Sequence, residues 1–187
     1  MEIVTITEAR RRLDGALPSY KAKIEYVTPD QALGRITARD ITAAHAYPPY
    51  RKSPFDGYAI HSHKGTTYEV VATIGAGIVY EGPVAAGQAV RLMTGCAVPG
   101  DCDTVIPQEY VDRRGTRIEV TETIKPGSNI IPVGEECKPG AVIIPAGTKL
   151  TASALSVAVG LGNYRLPVYV KPQVLFLTSG RELVMAG

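Results

Sequence analysis

The chain has 187 residues, of which 45% are hydrophobic and 20% charged, and its formal net charge is +2. These values are typical of a folded soluble protein and argue against intrinsic disorder. The basic residues are scattered and no apolar run has the length of a membrane span, so the composition predicts neither nucleic-acid binding nor membrane insertion. The three cysteines match no zinc motif in their spacing, which favours reduced thiols in a cytoplasmic protein.

The first forty residues predict two short helices and a strand. Thr5 and Glu8 have the spacing of a capping box, so a helix is expected to begin after Thr5. A second, brief helix is expected after Thr28, because Thr28 and Gln31 have the spacing of a capping box and Pro29 suits the first helical position. The segment ITARDIT, 36–42, then predicts a strand. The apolar stripe of the first helix would consist of Ala9, Leu13, Ala16 and Leu17.

The middle of the chain predicts an all-β unit. Residues 43–52 form a connector rich in proline and tyrosine, and short segments rich in β-branched residues follow it up to about residue 125. Turn residues separate these segments, and DRRG, 112–115, indicates a hairpin connection. The strand-like segments are GYAIH, YEVVATI, AVRLM, DTVIPQEYV and TRIEVTETI.

A turn cluster at 125–129 predicts a boundary, after which the elements become mixed. GAVIIPAGTKL, 140–150, indicates a pair of strands joined at PAG, and a helix is expected after Thr151, with Gly162 just past its end. YRLPVYV, 164–170, predicts a further strand. The stretches 25–46 and 130–170 are therefore expected to pack together as one linking module that the β unit interrupts.

The last seventeen residues predict the beginning of an α/β domain. QVLFLT, 173–178, is a continuous apolar run, as expected of a strand covered on both faces. TSGREL, 178–183, indicates the loop and helix start that follow such a strand. One strand cannot bury itself, so we expect the chain to be the N-terminal part of a longer protein.

Several loops carry polar groups that have both a structural and a functional interpretation. Asp56-Gly57 is a common turn dipeptide. The Thr94 hydroxyl with the backbone of Gly95 would end a strand or hold an oxyanion. Glu135-Glu136 would be solvated or would bind Mg²⁺, and Glu182 would cap a helix or face a ligand. From these residues alone both interpretations stay open.

Taken in series, four segments resemble the molybdopterin molybdenumtransferases, the MoeA family, which includes the E domain of gephyrin. SPFDGYAI, 53–60, is similar to the S-x-[MF]-DGYA segment of that family. The segments AGQAVRLMTGCAVPGDCDTVIPQE, GSNIIPVGEECKPGAVIIPAGTKLTASALSVAVGLG and LPVYVKPQVLFLTSGREL follow in the same order as in the family. The resemblance runs through nearly all of the chain.

The resemblance implies an α+β, β-rich, multi-domain fold that forms homodimers. Residues 1–24 would be an N-terminal helix that packs with the C-terminal α/β domain. Residues 25–46 and 130–170 would form the linking α/β module, with an all-β domain inserted at 47–129. Residues 171–187 would begin a truncated, MogA-like, molybdopterin-binding α/β domain and end at its first strand.

The resemblance also implies a reaction, namely the insertion of molybdate into adenylylated molybdopterin with release of AMP in the presence of Mg²⁺. Its substrates would be the pterin nucleotide and molybdate, and other proteins of molybdenum cofactor synthesis would be partners. By position, the catalytic residues would be Asp56, Thr94 and Glu182, and the metal ligands Asp56 and Glu136. The cofactor-binding residues would be Gly57, Gly95, Ser179 and Gly180.

Two positions depart from the family pattern. Glu136 stands where the family usually has Asp, and Arg181 replaces an acid in the TGDEL loop. A cation at residue 181 disfavours Mg²⁺ unless the Arg181 side chain points away or meets a phosphate. Alone, the chain is expected to be inactive. The alternative is a non-catalytic dimerisation or scaffold module, or a regulatory paralogue of the same family.

Overall fold

The computed structural model describes residues 3–17, 21–61 and 65–175, together with Leu177, Gly180, Glu182 and Val184. These residues divide into two compact units. The first unit comprises Met1–Ile41, Ile144–Val159 and Asn163–Gly187, and the second, called the β unit below, comprises Thr42–Ile143 and Gly160–Gly162. No helix in the described ranges is long and apolar enough to cross a lipid bilayer.

The first unit contains the helices and a small sheet. Its helices are α1 (Ile6–Ala16), α2 (Pro29–Ala32) and α3 (Ala152–Gly160), and β1 (Ile24–Val27) pairs antiparallel with β10 (Leu166–Tyr169). The two short strands β2 (Ile41–Thr42) and β9 (Val142–Ile144) form a second two-stranded sheet, most of whose residues belong to the β unit. The β-rich α+β class predicted from the sequence is confirmed.

Helix α1 begins as its sequence predicts, because the Thr5 hydroxyl accepts a hydrogen bond of 3.2 Å from the Glu8 N–H. The Glu8 carboxylate accepts further bonds from Arg11 and Arg12, and these bonds lower its pKa. None of the residues of α1 is buried, and its large apolar side chains, Ile6 and Leu13, are exposed. The predicted packing of this helix on an α/β domain therefore stays a prediction.

The β unit is built on a six-stranded mixed sheet of order β6-β3-β5-β4-β8-β7. The pair β4–β5 is parallel, and the other neighbours are antiparallel. The predicted DRRG hairpin is confirmed, because β7 and β8 pair up to Arg114 and Arg117. The strands are β3 (Gly57–Ile60), β4 (Thr67–Ile74), β5 (Gln88–Leu92), β6 (Thr104–Pro107), β7 (Val111–Arg114) and β8 (Arg117–Val120), with a 3₁₀ helix at Gln108–Tyr110 after β6.

Strand β3 lies inside this sheet and is buried along its whole length. Side chains alternate between the faces of a strand, so β3 contributes to two apolar clusters. Ala59 packs with Val90 and Leu92 on one side, whereas Tyr58 and Ile60 belong to the cluster on the other side. The residue that precedes β3, Asp56, is consequently attached to one of the most firmly packed strands of the unit.

Three predicted elements differ in the structure. The α2 capping box does not form, since Thr28 makes no side-chain bond to the helix. Residues 36–42 form a strand only at Ile41–Thr42. The residues after PAG do not return along β9. They pair instead with the segment around Thr37, because the Thr37 N–H donates to the Thr148 carbonyl oxygen and the Leu150 N–H donates to the Arg35 carbonyl oxygen.

The predicted strand at 173–178 is also absent from its described residues. Val174, Leu175 and Leu177 are 68%, 80% and 86% exposed and lie in no strand. A strand requires a partner for its backbone N–H and C=O groups, and no described segment pairs with this one. The predicted bounds of the four family domains stay a prediction.

Candidate functional site

The position of Asp56 depends on the backbone around it, beginning with Gly57, the residue that follows it. A Cβ atom at Gly57 would lie 2.2 Å from the Ile106 carbonyl oxygen, so glycine is what permits β3 and β6 to approach this closely. The Gln108 N–H donates to the Asp56 carbonyl oxygen at 2.9 Å. The close approach of the two strands is thus a sufficient structural reason for a glycine at residue 57. The predicted role of Gly57 in cofactor binding stays a prediction.

Thr94 lies in a tight turn after strand β5. The Cys96 N–H donates to the Met93 carbonyl oxygen at 3.0 Å, and Gly95 has φ of 84°. A positive φ at the third residue is the pattern of a type II β-turn, which favours glycine there. In such a turn the N–H groups of the two central residues point away from the turn's own hydrogen bond and need other partners.

Asp56 supplies the partner for one of these N–H groups. Its Oδ1 atom accepts a hydrogen bond of 2.7 Å from the Thr94 N–H and another of 2.7 Å from the Thr94 hydroxyl. We call this pair of contacts the Asp56–Thr94 clasp. Within the described part of the chain, Oδ2 of the same carboxylate accepts no hydrogen bond, so one oxygen of Asp56 is available to a ligand.

The clasp lowers the pKa of Asp56. The backbone bond from Thr94 contributes most and the hydroxyl bond comes next, while desolvation opposes them and the charge of Arg91 adds a small further lowering. Both hydrogen bonds favour the charged form. Asp56 is therefore a carboxylate at neutral pH, better suited to accept a hydrogen bond or bind a cation than to act as a general base.

The clasp also changes what the turn can do. The Gly95 N–H donates to the Ser53 carbonyl oxygen at 2.8 Å, and the Thr94 N–H and hydroxyl both donate to Asp56. The oxyanion interpretation of Thr94 and Gly95 requires these donors to be available, and in this structure they already have partners. The turn presents a carboxylate oxygen where the sequence suggested a cradle for an anion.

Glu136 is held much more loosely. Its Oε1 atom lies 3.4 Å from the Lys52 Nζ atom, and its side chain is 54% exposed. The ammonium group also lies 5.5 Å from the centre of the Tyr47 ring. An exposed pair at this distance contributes little to stability. Glu136 thus carries a cationic neighbour in place of a second carboxylate.

The predicted metal ligands therefore fit Mg²⁺ unequally. Among the described residues, no three or more His, Cys, Asp and Glu side chains form a group that could hold a metal ion. Mg²⁺ is commonly bound through one or two carboxylates and the phosphates of a substrate. The open oxygen of Asp56 fits that mode of binding, whereas Glu136 as placed beside Lys52 does not.

The remaining predicted site residues lie at the end of the chain. Gly180 and Glu182 belong to the first unit, and Ser179 and Arg181 lie outside the described residues. Their predicted contact with a pterin is not tested by the described contacts and stays a prediction.

Two residues of the loop were not predicted from the sequence. Ser53 is fully buried and bonds to the turn, and the Arg51 guanidinium donates to the carbonyl oxygens of Pro99, Gly100 and Cys102. In the sequence, Ser53 stood out only as the first letter of the S-x-[MF]-DGYA segment, and Arg51 only by its position just ahead of that segment. Cys102 itself is buried, which raises the pKa of its thiol to about 12 and makes it a poor nucleophile or metal ligand.

Comparison with known proteins gives a consistent result. A family model described as the MoeA N-terminal region, domains I and II, matches residues 4–162. A molybdopterin molybdenumtransferase of Staphylococcus epidermidis is 34% identical over 163 residues, which is 83% of this chain and 39% of the relative. One of Haemophilus influenzae is 33% identical over 190 residues, covering 99% of this chain and 46% of the relative.

The structures agree with the sequences. The crystal structure of a molybdopterin biosynthesis MoeA protein from Pyrococcus horikoshii superposes with a TM-score of 0.76 at 32% identity. The match covers 87% of this chain and 46% of that protein. The chain thus spans less than half the length of these relatives.

Proposed function

The chain belongs to the MoeA family, whose N-terminal model covers residues 4–162, and from that membership we propose that it supplies one wall of the active site of a molybdopterin molybdenumtransferase. The proposed process is molybdenum cofactor biosynthesis. The proposed reaction is the insertion of molybdate into adenylylated molybdopterin with release of AMP. The assignment rests on the family match, and the observation that supports a reacting site at Asp56 is the Asp56–Thr94 clasp, which fixes one carboxylate oxygen and leaves the other open.

The proposed role of Asp56 is to hold a positively charged or hydrogen-donating group of the reacting complex. Its lowered pKa keeps it ionised, and its attachment to β3 and to the Thr94 turn keeps it in one position. A preorganised charge of this kind needs no rearrangement when a ligand binds. In this scheme Thr94 acts through Asp56, because its N–H and its hydroxyl both donate to that carboxylate.

Mg²⁺ is part of the proposal as a ligand of Asp56. When bound, such an ion would neutralise negative charge on the phosphates of the substrate. Glu136 would have to leave Lys52 before it could contribute, so we assign it no place in the first coordination sphere. Glu182, Ser179 and Gly180 complete the proposal as contacts to the pterin, and homodimerisation and a cytoplasmic location follow the family in the same way.

The decisive experiment is an AMP-release assay on protein expressed from the complete reading frame that contains these 187 residues. Adenylylated molybdopterin, molybdate and Mg²⁺ are supplied, and AMP is measured by chromatography. Asp56→Asn is expected to reduce AMP release at least about 100-fold, since it removes the charge at the reacting centre. Asp112→Asn is the matched control, because Asp112 is exposed on the edge strand β7.

Activity equal to wild type in Asp56→Asn would remove Asp56 from the site. No AMP release from the wild-type protein would favour the other candidate, a non-catalytic dimerisation or scaffold module, or a regulatory paralogue. The 187-residue chain alone is expected to release no AMP, and turnover by that chain would show that the remaining length of the relatives is dispensable.

A further inference from the structure

Ser53 is a buried polar residue three positions ahead of Asp56. Its side chain is 0% exposed, and buried hydroxyl groups are nearly always hydrogen-bonded. The Ser53 hydroxyl donates to the Phe55 carbonyl oxygen at 2.6 Å and accepts from the Phe55 N–H at 3.3 Å. Both bonds go to the residue just before Asp56, so the hydroxyl sets the direction in which the chain enters that residue.

The backbone of Ser53 is at the same time bonded to the turn that carries Thr94. The Ser53 N–H donates to the Cys96 carbonyl oxygen at 3.0 Å, and the Ser53 carbonyl oxygen accepts from the Gly95 N–H at 2.8 Å. Ser53 is therefore bonded to the turn through its backbone and to Phe55 through its side chain, so it connects the position of Phe55 to that of the turn.

Asp56 is held on its other side by the sheet. Its carbonyl oxygen accepts from the Gln108 N–H, and Gly57 begins the buried strand β3. The carboxylate of Asp56 can meet both donors of Thr94 only while the backbone on both sides keeps its direction. The sheet fixes one side, and the contacts of Ser53 fix the other.

We propose that Ser53 is a positioning residue for the Asp56–Thr94 clasp: its hydroxyl orients the Phe55 peptide so that the Asp56 carboxylate reaches Thr94. The consequence for catalysis rests on the proposed function above. The effect on the clasp does not, and it is measurable in the 187-residue chain itself.

The test is amide hydrogen exchange followed by NMR in the chain and its variants. Ser53→Ala and Ser53→Cys both remove the hydroxyl, and the thiol of the second fills the same space with much weaker hydrogen bonds. Exchange of the Thr94 amide is expected to become about fivefold to tenfold faster in both variants, the loss of one ordinary hydrogen bond. The Ala59 and Val90 amides of β3 and β5 should keep their wild-type rates.

Ser128→Ala is the matched control. It removes a hydroxyl that donates to a backbone carbonyl oxygen, that of Lys125, at the same 2.6 Å in the same unit. The Thr94 exchange rate should be unchanged in this variant. If the Thr94 amide of Ser128→Ala exchanged as fast as that of Ser53→Ala, the proposal would be overturned.

Two other outcomes also overturn it. An unchanged Thr94 rate in both Ser53 variants means that the clasp stands without the hydroxyl. Equal acceleration of the Thr94, Ala59 and Val90 amides means that Ser53 stabilises the whole sheet and positions nothing in particular. Ser53→Cys supplies the reading where Ser53→Ala does not fold.

The catalytic consequence is read in the AMP-release assay. Ser53→Cys should lower kcat about fivefold to tenfold with KM little changed, because it disturbs the position of a reacting group and not the binding of the substrate. An unchanged kcat alongside faster Thr94 exchange would confine the role of Ser53 to the clasp and overturn its catalytic part. Failure of the proposed function itself appears separately, as wild-type AMP release in Asp56→Asn.

Discussion

The two loops that carry the predicted metal ligands of the β unit hold their carboxylates in different ways. Asp56 receives a backbone N–H and a hydroxyl at 2.7 Å and is attached to a buried strand. Glu136 faces one lysine at 3.4 Å on an exposed side chain. In the sequence, both were acids in loops that contain a glycine, Gly57 and Gly134. The difference shows that backbone donors from a turn can fix a carboxylate, whereas an exposed ion pair leaves it free to move.

The largest effect on stability should come from Gly57, which begins the strand β3 to which Asp56 is attached. Gly57→Ala places a Cβ atom 2.2 Å from the Ile106 carbonyl oxygen, so β3 and β6 must separate. We expect a loss of about 3 kcal/mol or more in the free energy of unfolding, measured with urea and tyrosine fluorescence. Gly100→Ala is the control, because its Cβ would meet nothing within 4 Å, and equal losses in both variants would refute this explanation.

The next effect concerns the charge of Asp56. Its pKa is lowered in the folded protein, so the carboxylate stabilises the fold above the unfolded-state pKa of about 3.9, and this contribution is lost as the pH falls through the folded value. The urea midpoint of Asp56→Asn should therefore lie below that of wild type at pH 7. The gap should close as the pH falls below about 4. A gap that is independent of pH would contradict a charged clasp, and Asp112→Asn should show no gap.

Thr94→Val separates the two bonds of the clasp. The valine retains the backbone N–H, which is the larger cause of the lowered pKa, and removes the hydroxyl. The pKa of Asp56, followed by NMR of its carboxyl carbon, should rise but stay below the usual value for aspartate. Thr121→Val, at an exposed position in the same unit, should leave it unchanged. A return to the usual value would show that the hydroxyl, and not the backbone, dominates.

The smallest effect on stability is expected at the contact between Lys52 and Glu136. Lys52→Met removes the ammonium group from Glu136 and from the Tyr47 ring. We expect the free energy of unfolding to change by no more than about 1 kcal/mol, because such an exposed pair is weak. Lys125→Met serves as the reference for loss of an exposed lysine. A loss as large as that of Gly57→Ala would show that the two loops are equally fixed.

The sequence predicted local elements well where their signals are local. The cap of α1 at Thr5, the hairpin after β7 and the helix after Thr151 depend on residues a few positions apart, and all three are confirmed. The return segment after PAG was predicted incorrectly. Its backbone bonds to residues more than a hundred positions away, and no local pattern reports such a partner.

The candidate site was only half visible in the sequence. The series of motifs singled out Asp56 and Thr94, which the structure joins, and it offered Glu136, a departure from the family pattern, as a second metal ligand. Ser53 was read only as the first letter of a motif. Its importance depends on burial and on bonds to Phe55, Gly95 and Cys96, which follow from how two loops meet.

By itself, the sequence determined the family, the β-rich class and the identity of the acid at residue 56, because these depend on residue types and their order. Only the tertiary structure decided what each acid can do. The state of a carboxylate depends on the donors within about 3 Å of it, and packing brings those donors together from distant parts of the chain. Thr94 reaches Asp56 across 38 positions in this way, and Lys52 reaches Glu136 across 84.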